Sequence, residues 1–233
     1  MSYVFKQKLL PTSKYALKSP FAMTPQYITV HNTANDASAA NEVAYHNRND
    51  NEVSYHVAVD DKEVIQCLPF NRNGWHCGDG QGDGNRKSIG IEICYSKSGG
   101  SRYVAAEENA VQYIASLLKQ FGWGVDRVKK HQDWARADGY RKYCPHRILD
   151  EKRWDSFKAR VQKALDTLNK PSEEAKQMEL LTSTGRAEIR ALLKKARNQG
   201  IISKDVHTDA AIDKYDDMQL LSYQAAVINR TYK

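Results

Sequence analysis

The 233 residues predict an α/β fold: a mixed central β-sheet flanked by helices, followed by a small, mainly helical C-terminal domain. Three observations carry this. Short β-branched runs alternate with amphipathic helical stretches up to about residue 165. A polar segment at 166–178, DTLNKPSEEAKQM with Pro171 inside it, interrupts the pattern. Beyond it only helical spacing recurs.

Taken in order, ITV at 28–30, SYHVAV at 54–59, EVIQCL at 63–68 and SIGIEIC at 88–94 are strands, because they are short and rich in β-branched residues. The stretch 37–46 reads as a helix capped by Asp36. A second helix at 107–121 carries Ala110, Ile114, Leu117, Leu118 and Phe121 on one stripe. A third, at about 151–168, lines up Trp154, Phe157, Val161, Leu165 and Leu168. In the tail, 183–198 places Ile189, Leu192, Leu193 and Ala196 at helical spacing, and Gly200 stops it. Thr208 caps a short helix at 209–215, and 218–229 repeats the pattern with Leu221, Ala225 and Ile228. The domains are therefore expected at 1–165 and 179–233, with 166–178 as the linker.

Composition narrows the function classes. Hydrophobic content of 41% and charged content of 27% describe an ordinary globular chain. No run approaches the roughly 18 apolar residues of a membrane span, and the N-terminus lacks a signal-peptide core, so we expect synthesis in the cytoplasm and no membrane insertion. The four cysteines are sparse and irregularly spaced for a disulfide scaffold, which points to free thiols. A net charge of +7 would suit either nucleic acid or an anionic cell wall. The basic residues are dispersed and not interleaved with aromatics, so no nucleic-acid partner is expected.

Histidine and cysteine point to metal chemistry. His31, His131 and Cys144 together would make a zinc site with an open fourth position, since imidazole nitrogen and thiolate sulfur suit Zn²⁺ and catalytic sites keep three protein ligands. No CxxC pair is present, which argues against a structural finger. Seven histidines are available, however, and His146 beside Cys144 is a rival ligand. Strand alternation sets Ile89, Ile91 and Ile93 on one face and Gly90 and Glu92 on the other; likewise Ile28 and Val30 oppose Thr29 and His31. If the isoleucine row meets helices, Glu92 and His31 share the working face, where a carboxylate can act as general base.

The blocks YITVHNTA, EVSYHVAVDDKEVIQCLPFNRNGWHCGD, NRKSIGIEICYS, HQDW and KYCPH resemble, in that order and over roughly residues 20–160, the zinc-dependent type-2 N-acetylmuramoyl-L-alanine amidases. That family also includes peptidoglycan recognition proteins. The whole chain is similar to endolysins of gamma-type Bacillus phages, in which the tail binds the cell wall.

The resemblance implies that His31, His131 and Cys144 hold Zn²⁺ and that Glu92 is catalytic. It places Lys142, two residues before Cys144 in the K-x-C pattern, at the oxyanion, and it gives Tyr55 a catalytic role. His76 and Asn32 would lie along the substrate groove. It implies hydrolysis of the amide bond between N-acetylmuramic acid and L-alanine, with peptidoglycan and a wall carbohydrate as partners. The chain would act first from the host cytoplasm and then at the wall. A non-catalytic peptidoglycan-binding protein and an intracellular muropeptide-recycling amidase are the alternatives within the same fold. Between HQDW and KYCPH the segment ARADGYR is longer than in several relatives, so Lys142 is aligned by its spacing to Cys144.

Overall fold

The computed structural model describes residues 3–170 and 181–231. The chain divides into two compact units, Met1–Lys170 and Pro171–Lys233. In the first, a six-stranded sheet runs in the order β1 (Val4–Gln7), β4 (Glu63–Gln66), β3 (Val57–Val59), β5 (Ser88–Ile93), β2 (Tyr27–Asn32), β6 (Val128–Lys130). Every neighbouring pair is parallel except β3 with β4. The sheet is therefore mixed, as expected. Its centre, β5 and β2, holds the isoleucine rows: Ile28, Val30, Ile89, Ile91 and Ile93 are all fully buried.

Those rows meet helices. The long helix α4 (Gly100–Phe121) buries Ala110, Ile114, Leu117 and Leu118, and α6 (Trp154–Asn169) buries Phe157, Val161, Ala164 and Leu165 in the same core. Between the two helices, the buried carboxylate of Glu107 accepts two hydrogen bonds from Arg153 at 2.7 and 3.0 Å and one from Arg160 at 2.5 Å. Among the described residues four shorter α-helices flank these: α1 (Tyr15–Lys18), α2 (Ala39–Arg48), α3 (Asp83–Lys87) and α5 (His146–Asp150).

Several boundaries differ from the sequence expectation. The edge strands β1 and β6 carry no readable pattern, because every residue of β1 is exposed and β6 has three residues, two of them lysine. The helix expected from 107 starts at Gly100, since Tyr103 and Ala106 extend its buried face by another two turns. Ser38, not Asp36, caps α2 by accepting from the Asn41 amide. Asp36 instead takes the amide and hydroxyl of Ser98 at 2.8 and 2.6 Å. α6 runs through Asn169, so the start of the expected linker is helical, and its part from 171 to 178 lies outside the described residues.

The second unit has its own core of Ile189, Leu193, Ala196, Ile202, Ile212, Leu220 and Val227. Among its described residues are α7 (Ser183–Asn198), α8 (Asp209–Ile212) and α9 (Asp217–Thr231). Thr208 caps α8 through its hydroxyl, and Gly200 takes the left-handed conformation after α7 at φ +74°. On α9 the buried stripe is Leu220 and Val227, one position before the expected Leu221 and Ile228, and the expected Ala225 is exposed. Arg186 holds Asp217 at the start of that helix with two bonds of 2.6 and 3.0 Å, which fixes its roll; Ile228 is left 45% exposed.

Candidate metal centre

The working face of the sheet is built by register. His31 on β2 is the direct neighbour of Glu92 on β5, and Thr29 of Gly90, so the polar residues of both strands stand side by side opposite the isoleucine rows. His131 enters from the end of β6, where a 3-10 turn, His131–Asp133, begins. The ARADGYR segment folds back through a bond from the Arg136 amide to the Tyr140 carbonyl. The Gln132 amide then donates to the Cys144 carbonyl at 3.1 Å, which returns Cys144 to the side of His131. Residues more than a hundred positions apart thereby meet.

Nδ1 of His131 lies 2.9 Å from Nδ1 of His31, and Sγ of Cys144 lies 3.9 Å from that same His31 nitrogen. One donor atom from each residue falls within 4.8 Å of the other two, and all three side chains are buried. The rival ligand His146 turns away, with Nε2 3.4 Å from the Ser96 carbonyl. His56 is bound on both ring nitrogens, accepting from the Gly90 amide at 2.9 Å and donating to the Arg72 carbonyl at 2.9 Å.

This donor set fits zinc. Burial, with the nearby Lys142 charge adding to it, pushes His131 down to about 4. Burial, reinforced by His131 and His76, lowers His31 well below the ordinary histidine value. Both rings are therefore neutral near pH 7. Nε2 of His131 faces the Cys77 carbonyl at 3.0 Å, and a carbonyl only accepts, so the His131 proton sits on Nε2 and Nδ1 presents a lone pair to His31. Outward hydrogen bonding of this kind is characteristic of metal-ligating histidine. Cys144 accepts from the Asn32 amide at 3.4 Å; burial, aided by Glu92, pushes its thiol up to about 12, so a cation is needed to hold it as thiolate at neutral pH.

Around this trio, Glu92 is pushed up to about 8 by burial against the opposing pull of Lys142, and its Oε2 has no hydrogen-bond partner among the described residues. Tyr55 is buried with its hydroxyl likewise unpartnered, its ring 4.8 Å from that of His46; burial raises its pKa well above the usual value and keeps it protonated. Lys142 is exposed, and its charge acts on His31, His131, Glu92 and Cys144.

The two residues expected along the groove, His76 and Asn32, are both buried beside the cluster. His76 is buried behind His31, and both of its ring nitrogens are engaged inside the protein. Asn32 donates to the Tyr103 hydroxyl at 3.3 Å and accepts from the Arg147 amide at 3.0 Å. One nearby group was not singled out from sequence: Cys77, whose Sγ is 3.1 Å from Nδ1 of His76. An adjoining cleft of about 630 Å³, lined by Phe21, Val53, Trp75, Gln81 and Asn85 among others, begins one residue before His76.

The family profile described as N-acetylmuramoyl-L-alanine amidase matches residues 21–147, which contain every site residue discussed above. The N-acetylmuramoyl-L-alanine amidase XlyB of Bacillus subtilis (strain 168) is 61% identical over 167 residues, covering 71% of this chain and 51% of that protein. CwlA of the same strain is 57% identical over 171 residues, covering 73% and 61%. The chain thus spans between half and two thirds of the length of these curated relatives. Among solved structures, PlyL aligns at 53% identity with a TM-score of 0.65, over 68% of this chain and 97% of its own. The PlyG catalytic domain aligns at 50% identity and a TM-score of 0.65, over 72% and 99%. With a matched profile over more than half its length and the sheet to carry it, the chain belongs to the N-acetylmuramoyl-L-alanine amidase family.

Proposed function

We propose that this chain is a zinc-dependent endolysin that hydrolyses the amide between the lactyl group of N-acetylmuramic acid and L-alanine in bacterial peptidoglycan. The observation that carries the reading is the convergence of two neutral imidazole nitrogens and one buried thiol beside a carboxyl oxygen that has no hydrogen-bond partner among the described residues. His31, His131 and Cys144 would hold the metal. Zinc, when bound there, supplies Lewis-acid polarisation of the amide carbonyl and acidifies water toward a pKa of about 7.

The chain's own groups do the rest. Glu92 takes a proton from the attacking water as the carbon–oxygen bond forms, and passes it to the L-alanine nitrogen as the carbon–nitrogen bond breaks. Lys142 places an ammonium near the developing oxyanion; a lost donor of this kind commonly costs 10²- to 10³-fold in rate. Tyr55, protonated and with its hydroxyl lacking a hydrogen-bond partner among the described residues, is a further candidate donor. A binding-only role would leave this buried, unsatisfied carboxylate without a use.

The second unit is proposed to bind a wall carbohydrate. Tethering a weak wall-binding module to an enzyme raises the enzyme's effective concentration at a polymeric substrate. Its separate core is consistent with an independent module. The setting is the bacterial wall, reached from the host cytoplasm; no described helix is long and apolar enough to cross a membrane. A recycling amidase acting on soluble muropeptides would gain nothing from such a module.

The test is digestion of purified walls before and after chelation. New amino termini that vanish with chelation and return with zinc are expected. New reducing ends, or full activity without metal, would refute the amidase reading. A chain ending at Lys170 should keep hydrolysis of small muropeptides and lose retention on intact walls; equal retention would refute the targeting role.

A further inference from the structure

Behind the metal cluster the structure arranges a second layer that nothing in the proposed chemistry uses directly. Nε2 of His76 lies 3.3 Å from the Ser88 carbonyl, which can only accept, so that nitrogen carries the His76 proton. In a neutral ring Nδ1 of His76 is then an acceptor. It lies 3.0 Å from Nε2 of His31 and offers that nitrogen an acceptor, as Nδ1 of His131 at 2.9 Å does the other ring nitrogen; a proton on the His76 side leaves the Nδ1 lone pair free for a cation. That is the nitrogen facing His131 and Cys144.

The ring has been given a fitted place. A Cβ at Gly90, beside Glu92 on β5, would come within 2.8–2.9 Å of three His76 ring atoms, and one at Gly74 would meet the ring at 2.7 Å. The backbone is pinned as well, for the His76 and Cys77 amides both donate to Oδ1 of Asn85 at 2.8 Å.

We propose that His76 is a positioning residue: it fixes the proton of His31 on Nε2 and so keeps the Nδ1 lone pair directed at the site shared with His131 and Cys144. This rests on the zinc reading above. His31, His76 and Cys77 also form a His-His-Cys group with donor atoms within 4.8 Å. An ion in that inner group would need a lone pair on Nε2 of His31. A neutral imidazole offers one lone pair, so occupancy of the outer group excludes the inner.

The experiment uses the full chain with His76→Leu, which removes the acceptor, and His76→Asn, whose Oδ1 retains it. The His31 tautomer is read in the metal-free wild type and variants by 15N NMR of the imidazoles; zinc affinity is read by competition with a chromophoric chelator. The wild type should show the Nε2–H form. His76→Leu should lose that preference and bind zinc about 10- to 100-fold more weakly, with KM unchanged at saturating zinc, while His76→Asn stays within a few-fold of wild type. Wild-type affinity in His76→Leu, an Nδ1–H tautomer in the wild type, or a second zinc equivalent abolished by Cys77→Ala would overturn the proposal. Failure to cleave walls despite tight single-zinc binding would sink the amidase reading and leave this one standing.

Discussion

Replacing Glu92 with Gln separates the two consequences of its position, one catalytic and one on stability. The carboxyl is pushed from 4.5 to about 8 by burial, only partly countered by Lys142. In the metal-free protein the protonated form is therefore the comfortable one, and the stability it confers is fully present below about pH 4.5 and lost as pH rises through about 8. A displacement from 4.5 to about 8 has an upper bound of about 5 kcal/mol at 1.36 kcal/mol per pH unit. Partial solvent access at Glu92 screens some of this, so a loss on the order of 2 kcal/mol between pH 5 and 9 is expected. Glu92→Gln keeps the shape and removes the charge, so its metal-free denaturation midpoint should change less over that range than the wild type's. Urea titrations at several pH values read the difference. With zinc bound, the added positive charge favours the carboxylate and the wild-type slope should flatten. In the zinc-loaded enzyme kcat on walls should fall about 10²- to 10⁴-fold, as for loss of a general base. Equal pH slopes in both metal-free proteins would refute the burial argument; kcat within about 10-fold of wild type would refute the proton-transfer role.

Other perturbations address single contacts. Cys144→Ser should weaken zinc binding by at least about 100-fold in chelator competition, because a hydroxyl replaces the one soft ligand of the set. Lys142→Ala should lower kcat about 10²- to 10³-fold with little change in KM, measured on a soluble muropeptide. Glu107→Gln should destabilise the first unit by about 1–3 kcal/mol, or roughly 3–10 °C in melting temperature, since it strips two arginines of their shared carboxylate. Burial raises the Glu107 pKa, but Arg153 and Arg160 outweigh it and hold the group below the usual carboxylate value. Its contribution is therefore present above about pH 4.5 and should disappear as pH falls through the folded value, which acid denaturation of wild type and variant will compare. Leu193→Ala, at a fully buried position of the second unit, should cost about 2–5 kcal/mol and reduce wall retention while hydrolysis of soluble substrate persists.

What could be read from the chain follows from how far each signal reaches. The central strands were legible because burial on one face forces an alternating row, and Ile89, Ile91 and Ile93 display it without interruption. The same alternation put His31 and Glu92 on the opposite face, but only the parallel register of β2 and β5 made them neighbours. Edge strands escaped notice because β1 buries nothing, so nothing in its composition had to change. Seven histidines and four cysteines could supply ligands, and residue type alone leaves His146 in contention with His31 and His131. What separates them is a backbone event, the Gln132 amide meeting the Cys144 carbonyl, which has no signature in residue type. His76 is the instructive case. Its place in GWHCGD gives no hint of how tightly the ring is packed; Gly74 and Gly90, where a Cβ would meet that ring at 2.7 and 2.8 Å, do. A glycine inside a strand should therefore prompt a search for the side chain that fills its missing Cβ.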